Sequence, residues 1–153
     1  MKSGKKLFET FYVGEDGTQY FIKPLIFSNS QNKEKLLIDF TFRYKNEVKD
    51  SVVINFSLLS SNIFKNIDSL SFSNTTHKIM SKNVNLMFNE KKNKLFNSRF
   101  STKIPLINFD KMFINGDWNI IVYSRENSST YYSEKKTKKA IKKLQDKIFI
   151  IFQ

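Results

Sequence analysis

Apolar and polar residues alternate along much of this chain, the two-residue period of strands that bury one face. Ile38, Phe40, Phe42 and Tyr44 point one way while Asp39, Thr41 and Arg43 point the other. Val52, Ile54, Phe56 and Leu58 repeat the pattern against Val53, Asn55 and Ser57. The polar, turn-sized Lys45-Asn46-Glu47-Val48-Lys49-Asp50 between the two runs predicts a hairpin. An earlier hairpin is marked by Gly14-Glu15-Asp16-Gly17 between Phe11-Tyr12-Val13 and Thr18 to Phe21, because glycines permit the positive φ of a tight turn. Further strands are predicted at Leu70 to Ser73, Val84 to Phe88 and Phe96 to Ile104. Asn115-Gly116 reads as a type I′ signal leading into a strand from Trp118 to Tyr123. Pro24 and Pro105 cannot donate to a ladder and belong at edges, bulges or strand ends. Between Ser60 and Asn74 the spacing of Ile63, Phe64, Ile67 and Leu70 also suits a short helix.

The spacing of these runs predicts a mainly β fold, an antiparallel sandwich or barrel-like sheet of about seven to nine short strands. The core should unite Phe40, Phe42, Ile54, Phe56, Trp118 and Ile120. A chain of 153 residues with sixteen Phe has the length of a single domain and the apolar content to core it. The β-rich part runs over residues 7–124.

The period changes after Tyr131, and no Gly or Pro follows. At 100° per residue, Ala140, Ile141, Leu144, Ile148 and Ile151 fall within an arc of roughly 100°. The opposite side carries Lys135, Lys136, Lys138, Lys139, Lys142, Lys143 and Lys147. This predicts an amphipathic C-terminal helix over residues 133–148, with Ser133 as its N-cap and Glu134 in its first turn. Phe149 and Ile150 fall on the lysine side, so Phe149 to Phe152 should leave the helix as a strand or a buried tail. Like charges at i,i+4, such as Lys139 and Lys143, cost about 0.2–0.5 kcal/mol per pair. Burial of Ile141, Leu144 and Ile148 contributes about 1.5–3 kcal/mol each. Packing wins, so the helix stands without a ligand.

The formal net charge of +12 raises nucleic acid as a partner. Its make-up changes that picture. Of 26 Lys and Arg, only Arg43, Arg99 and Arg125 are Arg, which leaves 23 Lys. Phe, Ile, Asn and Lys share AT-rich codons, so composition alone supplies part of the lysine excess. Arg reads guanine edges bidentately, whereas Lys acts as a point charge. Backbone attraction with little base reading is the mode these residues suit.

Catalytic and metal chemistry find little to use. The chain has no Cys and a single His, His77, in a polar stretch without a nucleophile motif. Thiolate and paired-histidine metal sites are therefore excluded. Gly4, Gly14, Gly17 and Gly116 cannot form a phosphate-cradling glycine loop, and no nucleotide cofactor is expected. A metal-dependent nuclease pattern of Asp with downstream Glu-x-Lys is matched by Asp39 with Glu47 and Lys49, and by Asp110 or Asp117 with Glu134 and Lys136. In a lysine-rich chain such matches arise by chance, and the Glu residues fall in a turn and at a helix start rather than on strands.

Residues 1–6 are basic, but Glu9 and Thr10 interrupt Leu7-Phe8, so no signal-type apolar run forms and a cytoplasmic protein is expected. No apolar run approaches the ~18 residues of a membrane-spanning helix. A basic amphipathic helix also suits an anionic membrane surface, but this one lacks Trp and spends its apolar stripe on the sheet. These readings converge on a non-catalytic binding protein. Its lysine-rich helix, with Tyr131 and Tyr132 as neighbouring aromatics, engages nucleic acid backbone or an acidic protein surface. An inhibitor or immunity-type factor of a phage, mobile element or interbacterial system, directed at one protein, is the other class the composition fits.

Overall fold

A computed structural model describes residues 6–44, 51–125 and 127–152. Its strands are β1 (Phe8–Tyr12), β2 (Thr18–Ser28), β3 (Lys35–Tyr44), β4 (Ser51–Ser60), β5 (Ser69–Ser73), β6 (Lys78–Ser81), β7 (Asn85–Lys92), β8 (Leu95–Pro105), β9 (Asn119–Ser124) and β10 (Asn127–Ser133). Two helices, α1 (Leu106–Phe109) and α2 (Lys135–Lys147), follow β8 and β10 respectively. The strands form one curled antiparallel sheet in the order β6-β5-β9-β10-β2-β3-β4-β8-β7, a half-barrel, and β1 joins it by pairing with β2. The curl brings β6 at one end against β8 near the other, where Ser81 and Thr102 share a hydrogen bond between hydroxyls.

The concave side holds the core, and the alternation in β3 and β4 sets it. Phe40, Phe42, Ile54, Phe56, Trp118 and Ile120 are all buried, as their spacing requires. Phe40 pairs with Ile54, and Phe56 stacks on Phe100 of β8 at 5.4 Å between ring centres. The β3–β4 pairing is the expected antiparallel one, while its connection at 45–50 lies outside the described residues. Trp118 packs among Phe27, Phe40, Phe72 and Phe113. Its indole N–H donates to the carbonyls of Met112 (2.7 Å) and Asn115 (3.1 Å), so a buried donor is not left unpaired.

Several elements differ from the sequence expectation. Strand β2 runs on to Ser28 because a bulge between Ile22 and Leu25 absorbs Pro24. The bulge also shifts which side faces in, from Tyr20 and Ile22 before it to Leu25 and Phe27 after it. Pro105, the other proline, closes β8. Residues 61–68 form no helix; Ile63 is exposed there while Ile67 reaches the core. Asn115-Gly116 is not a type I′ turn, since Gly116 does not adopt positive φ. A Cβ at Gly116 would sit 2.9 Å from the Lys138 Cα and carbonyl oxygen, so glycine is needed there for close approach of α2. Gly14 and Gly17 do take positive φ, 68° and 91°, in the predicted first hairpin.

Asp39 departs from its expected exposure. It points away from the Phe40 face, as predicted, yet is only 3% exposed. Arg99 covers it, donating from Nη2 to both carboxylate oxygens while Nη1 donates to Ser57.

Candidate functional site

Strand β10 pairs with β2 only at Tyr132–Ser28 and Ser133–Phe27. The chain then leaves the sheet and becomes α2. The Thr137 hydroxyl donates to the Ile26 carbonyl, taking an acceptor that further ladder pairing would have used. Ser133 remains in β10 and donates its hydroxyl to Gly116 rather than capping the helix. Glu134 is the N-cap residue instead, without a side-chain cap bond, because its carboxylate accepts from Lys35 and Ser28. Those two donors hold the Glu134 carboxyl below the usual range.

The apolar stripe of α2 docks as expected. Ile141, Leu144 and Ile148 are buried, and Ala140 packs partly against the same core. The helix ends at Lys147, which frees Phe149 from the lysine side of the wheel. Residues Phe149–Phe152 turn into a 3-10 helix, and Phe149 stacks on Phe113 at 3.9 Å. The Ile151 side chain lies outside the described set.

The predicted binding residues do not share one surface. Tyr131 enters the core, where its hydroxyl donates to Glu34 over 3.2 Å; burial and then the Glu34 charge push its pKa up. Tyr132 stays exposed and lines a hollow with Lys138, whose ammonium pairs with Asp117 at 2.9 Å. Lys135 and Lys136 occupy the exposed first turn of α2. Lys139, Lys142, Lys143 and Lys147 are exposed, and none has an ion-pair partner within 4 Å among the described residues.

Lys143 and Lys147 join a feature that the sequence did not suggest. Together with Lys6 and residues 7–11 of the β1 region they line a cleft of about 840 Å³. Here β1 occupies the edge of β2 that β10 leaves, and among the described residues it pairs with β2 alone. Lys23 donates its N–H to the Leu7 carbonyl at 2.9 Å, and Val13 donates to Gly17 at 2.9 Å. In an antiparallel pair these bonds alternate, so Leu7, Glu9, Phe11 and Val13 turn their backbone groups toward β2. Phe8, Thr10 and Tyr12 turn theirs outward, without partners among the described residues. Phe11 and Tyr12 are 54% and 82% exposed. The sequence signal for this edge is the apolar run Phe11-Tyr12-Val13 beside a turn, a pattern that by itself marks only a strand.

The residues of the nuclease pattern do not gather. Asp39 is held by Arg99, Asp117 by Lys138 and Glu134 by Lys35, while Glu47 and Lys49 lie outside the described residues. His77 sits in the β5–β6 loop with Nδ1 2.8 Å from the Thr76 hydroxyl. Among the described residues no three His, Cys, Asp or Glu side chains come together as a metal-ion cluster. No helix among them is long and apolar enough to cross a membrane. No protein-family model, curated protein or solved structure matches this chain.

Proposed function

We propose that this protein is a non-catalytic binding protein that engages an anionic partner through the lysine side of α2. The observation that carries the reading is the group Lys139, Lys142, Lys143 and Lys147, four exposed ammonium groups on one helix without an ion-pair partner among the described residues. Intramolecular pairing would have relieved their mutual repulsion, as Asp117 does for Lys138. Ile141, Leu144 and Ile148 of the opposite stripe are buried in the core, so the free surface of the helix is mainly cationic. Its charge is lysine-borne, which favours point-charge attraction over bidentate base reading.

Titrating labelled polyglutamate, single-stranded DNA and duplex DNA with the protein tests this reading. Binding to at least one probe at about 50 mM salt, weakening steeply by about 200 mM, is the expected result. Failure to bind any of the three at low salt would refute it.

A further inference from the structure

The cleft between β1 and α2 specifies the partner more narrowly. We infer that it receives an extended acidic segment of a protein, which adds as a strand to the open edge of β1. The inference rests on the anionic-partner reading above and names where and how that partner sits.

Two observations converge on this occupant. The first is backbone chemistry. Phe8 and Thr10, which line the cleft, and Tyr12 just beyond it turn alternating N–H and C=O groups outward, the pattern that an added strand satisfies. A nucleic acid backbone supplies acceptors for the N–H groups but repels the outward carbonyls, whereas a peptide satisfies both. The second is charge. Lys6, Lys143 and Lys147 line the cleft, and Glu9, the one acidic residue among its described lining, lies 3.9 Å from Lys23. An incoming strand that carries carboxylates on alternate residues meets the ammonium groups with one face. Its other face can carry the apolar residues that Phe11, 54% exposed, is placed to cover. The open run is five residues long, which spans about 17 Å and suits a short linear segment.

The sheet ends elsewhere too. Strand β7 is an outer strand with Leu86, Met87 and Phe88 exposed, but the lysine-bearing helix α2 packs against β2 and β10 instead. At β1 an edge unpaired among the described residues and the lysine-bearing helix flank the same space.

The test uses the full chain and a capped octapeptide of alternating Glu and Val. Its comparators are the same peptide with alternate backbone nitrogens methylated and an oligothymidylate of about 20 nucleotides. On the protein side, Thr10→Pro removes one outward N–H and leaves the β2 ladder intact, since Thr10 does not bond across it. The paired change Lys143→Glu with Lys147→Glu inverts the cleft wall. The octapeptide should bind, and methylation or Thr10→Pro should each weaken it at least tenfold. Amide exchange at Phe8, Thr10 and Tyr12 should slow on binding. The double Glu variant should lose the acidic peptide and gain its Lys/Val counterpart.

If methylation and Thr10→Pro change nothing while the double Glu variant abolishes binding, strand addition is overturned and the cationic-helix reading stands. If the double Glu variant also binds as the parent does, the cleft is not the binding site and the inference is overturned, while the test with polyglutamate and DNA still decides the anionic-partner reading. An oligothymidylate that binds where the octapeptide does not would overturn the inference in favour of nucleic acid.

Discussion

Arg99 on β8 reaches Asp39 on β3 across the intervening strand β4, placing Nη2 2.9 Å and 3.1 Å from the two carboxylate oxygens. The pair fastens three adjacent strands on the face opposite the Phe core, with Ser57 of β4 taking the remaining Arg99 bond. Arg99→Met strands a carboxylate that is 4% exposed, so chemical denaturation should show a loss on the order of 3 kcal/mol. Adding Asp39→Asn removes the buried charge and should restore at least half of that loss. Equal stability of Arg99→Met and the parent would show that the pair contributes nothing.

Tyr131 supplies an alkaline signature. Its folded pKa is raised above the ordinary value of 10.0, by burial first and by Glu34 second. The stabilisation from the neutral hydroxyl is present below pH 10 and is lost above it, where the unfolded chain ionises and the folded one does not. At neutral pH, Tyr131→Phe should cost about 0.5–1.5 kcal/mol for the hydrogen bond to Glu34. Above pH 10 the parent should lose about 1.4 kcal/mol per unit relative to the variant. Thermal midpoints of the two proteins across pH 8–11 should therefore converge; parallel curves would contradict this assignment.

Gly116→Ala tests the seating of α2. The added methyl meets Lys138 backbone at 2.9 Å, and neither side is a flexible side-chain end. A cost of about 1–3 kcal/mol is expected, with the helix displaced rather than the sheet. Hydrogen exchange should rise in α2 and stay unchanged in β3 and β4. A fully parental exchange profile would show that the loop yields instead.

These outcomes depend on features that the sequence revealed unevenly. The alternation of Phe40 and Phe42 with Asp39 and Thr41 was legible because one register buries every large side chain. The α2 stripe was legible for the same reason at helical period. The second half of β2 was hidden because the bulge at Pro24 reverses which parity faces inward, so the run shows no single alternation. The cap moved from Ser133 to Glu134 because Ser133 is still paired with Phe27, a contact distant in sequence. The open edge of β1 was least legible of all. It exists because β10 parts from β2 after two residue pairs, and no local pattern near Phe8 encodes where β10 stops.

The most direct measurement joins stability and binding in one variant, with Lys139, Lys142, Lys143 and Lys147 all changed to Gln. Gln keeps good helix propensity and removes like-charge pairs, so the thermal midpoint should be unchanged or slightly higher. Affinity for the anionic probe that the parent binds best should fall by well over tenfold, because charge pairs across the interface are lost. Leu144→Ala is the opposing control; it should cost about 2–5 kcal/mol of stability by opening a cavity beneath the helix. A stable quadruple variant that binds every anionic probe as tightly as the parent would contradict the proposed role of α2 and leave it as a cover for the core.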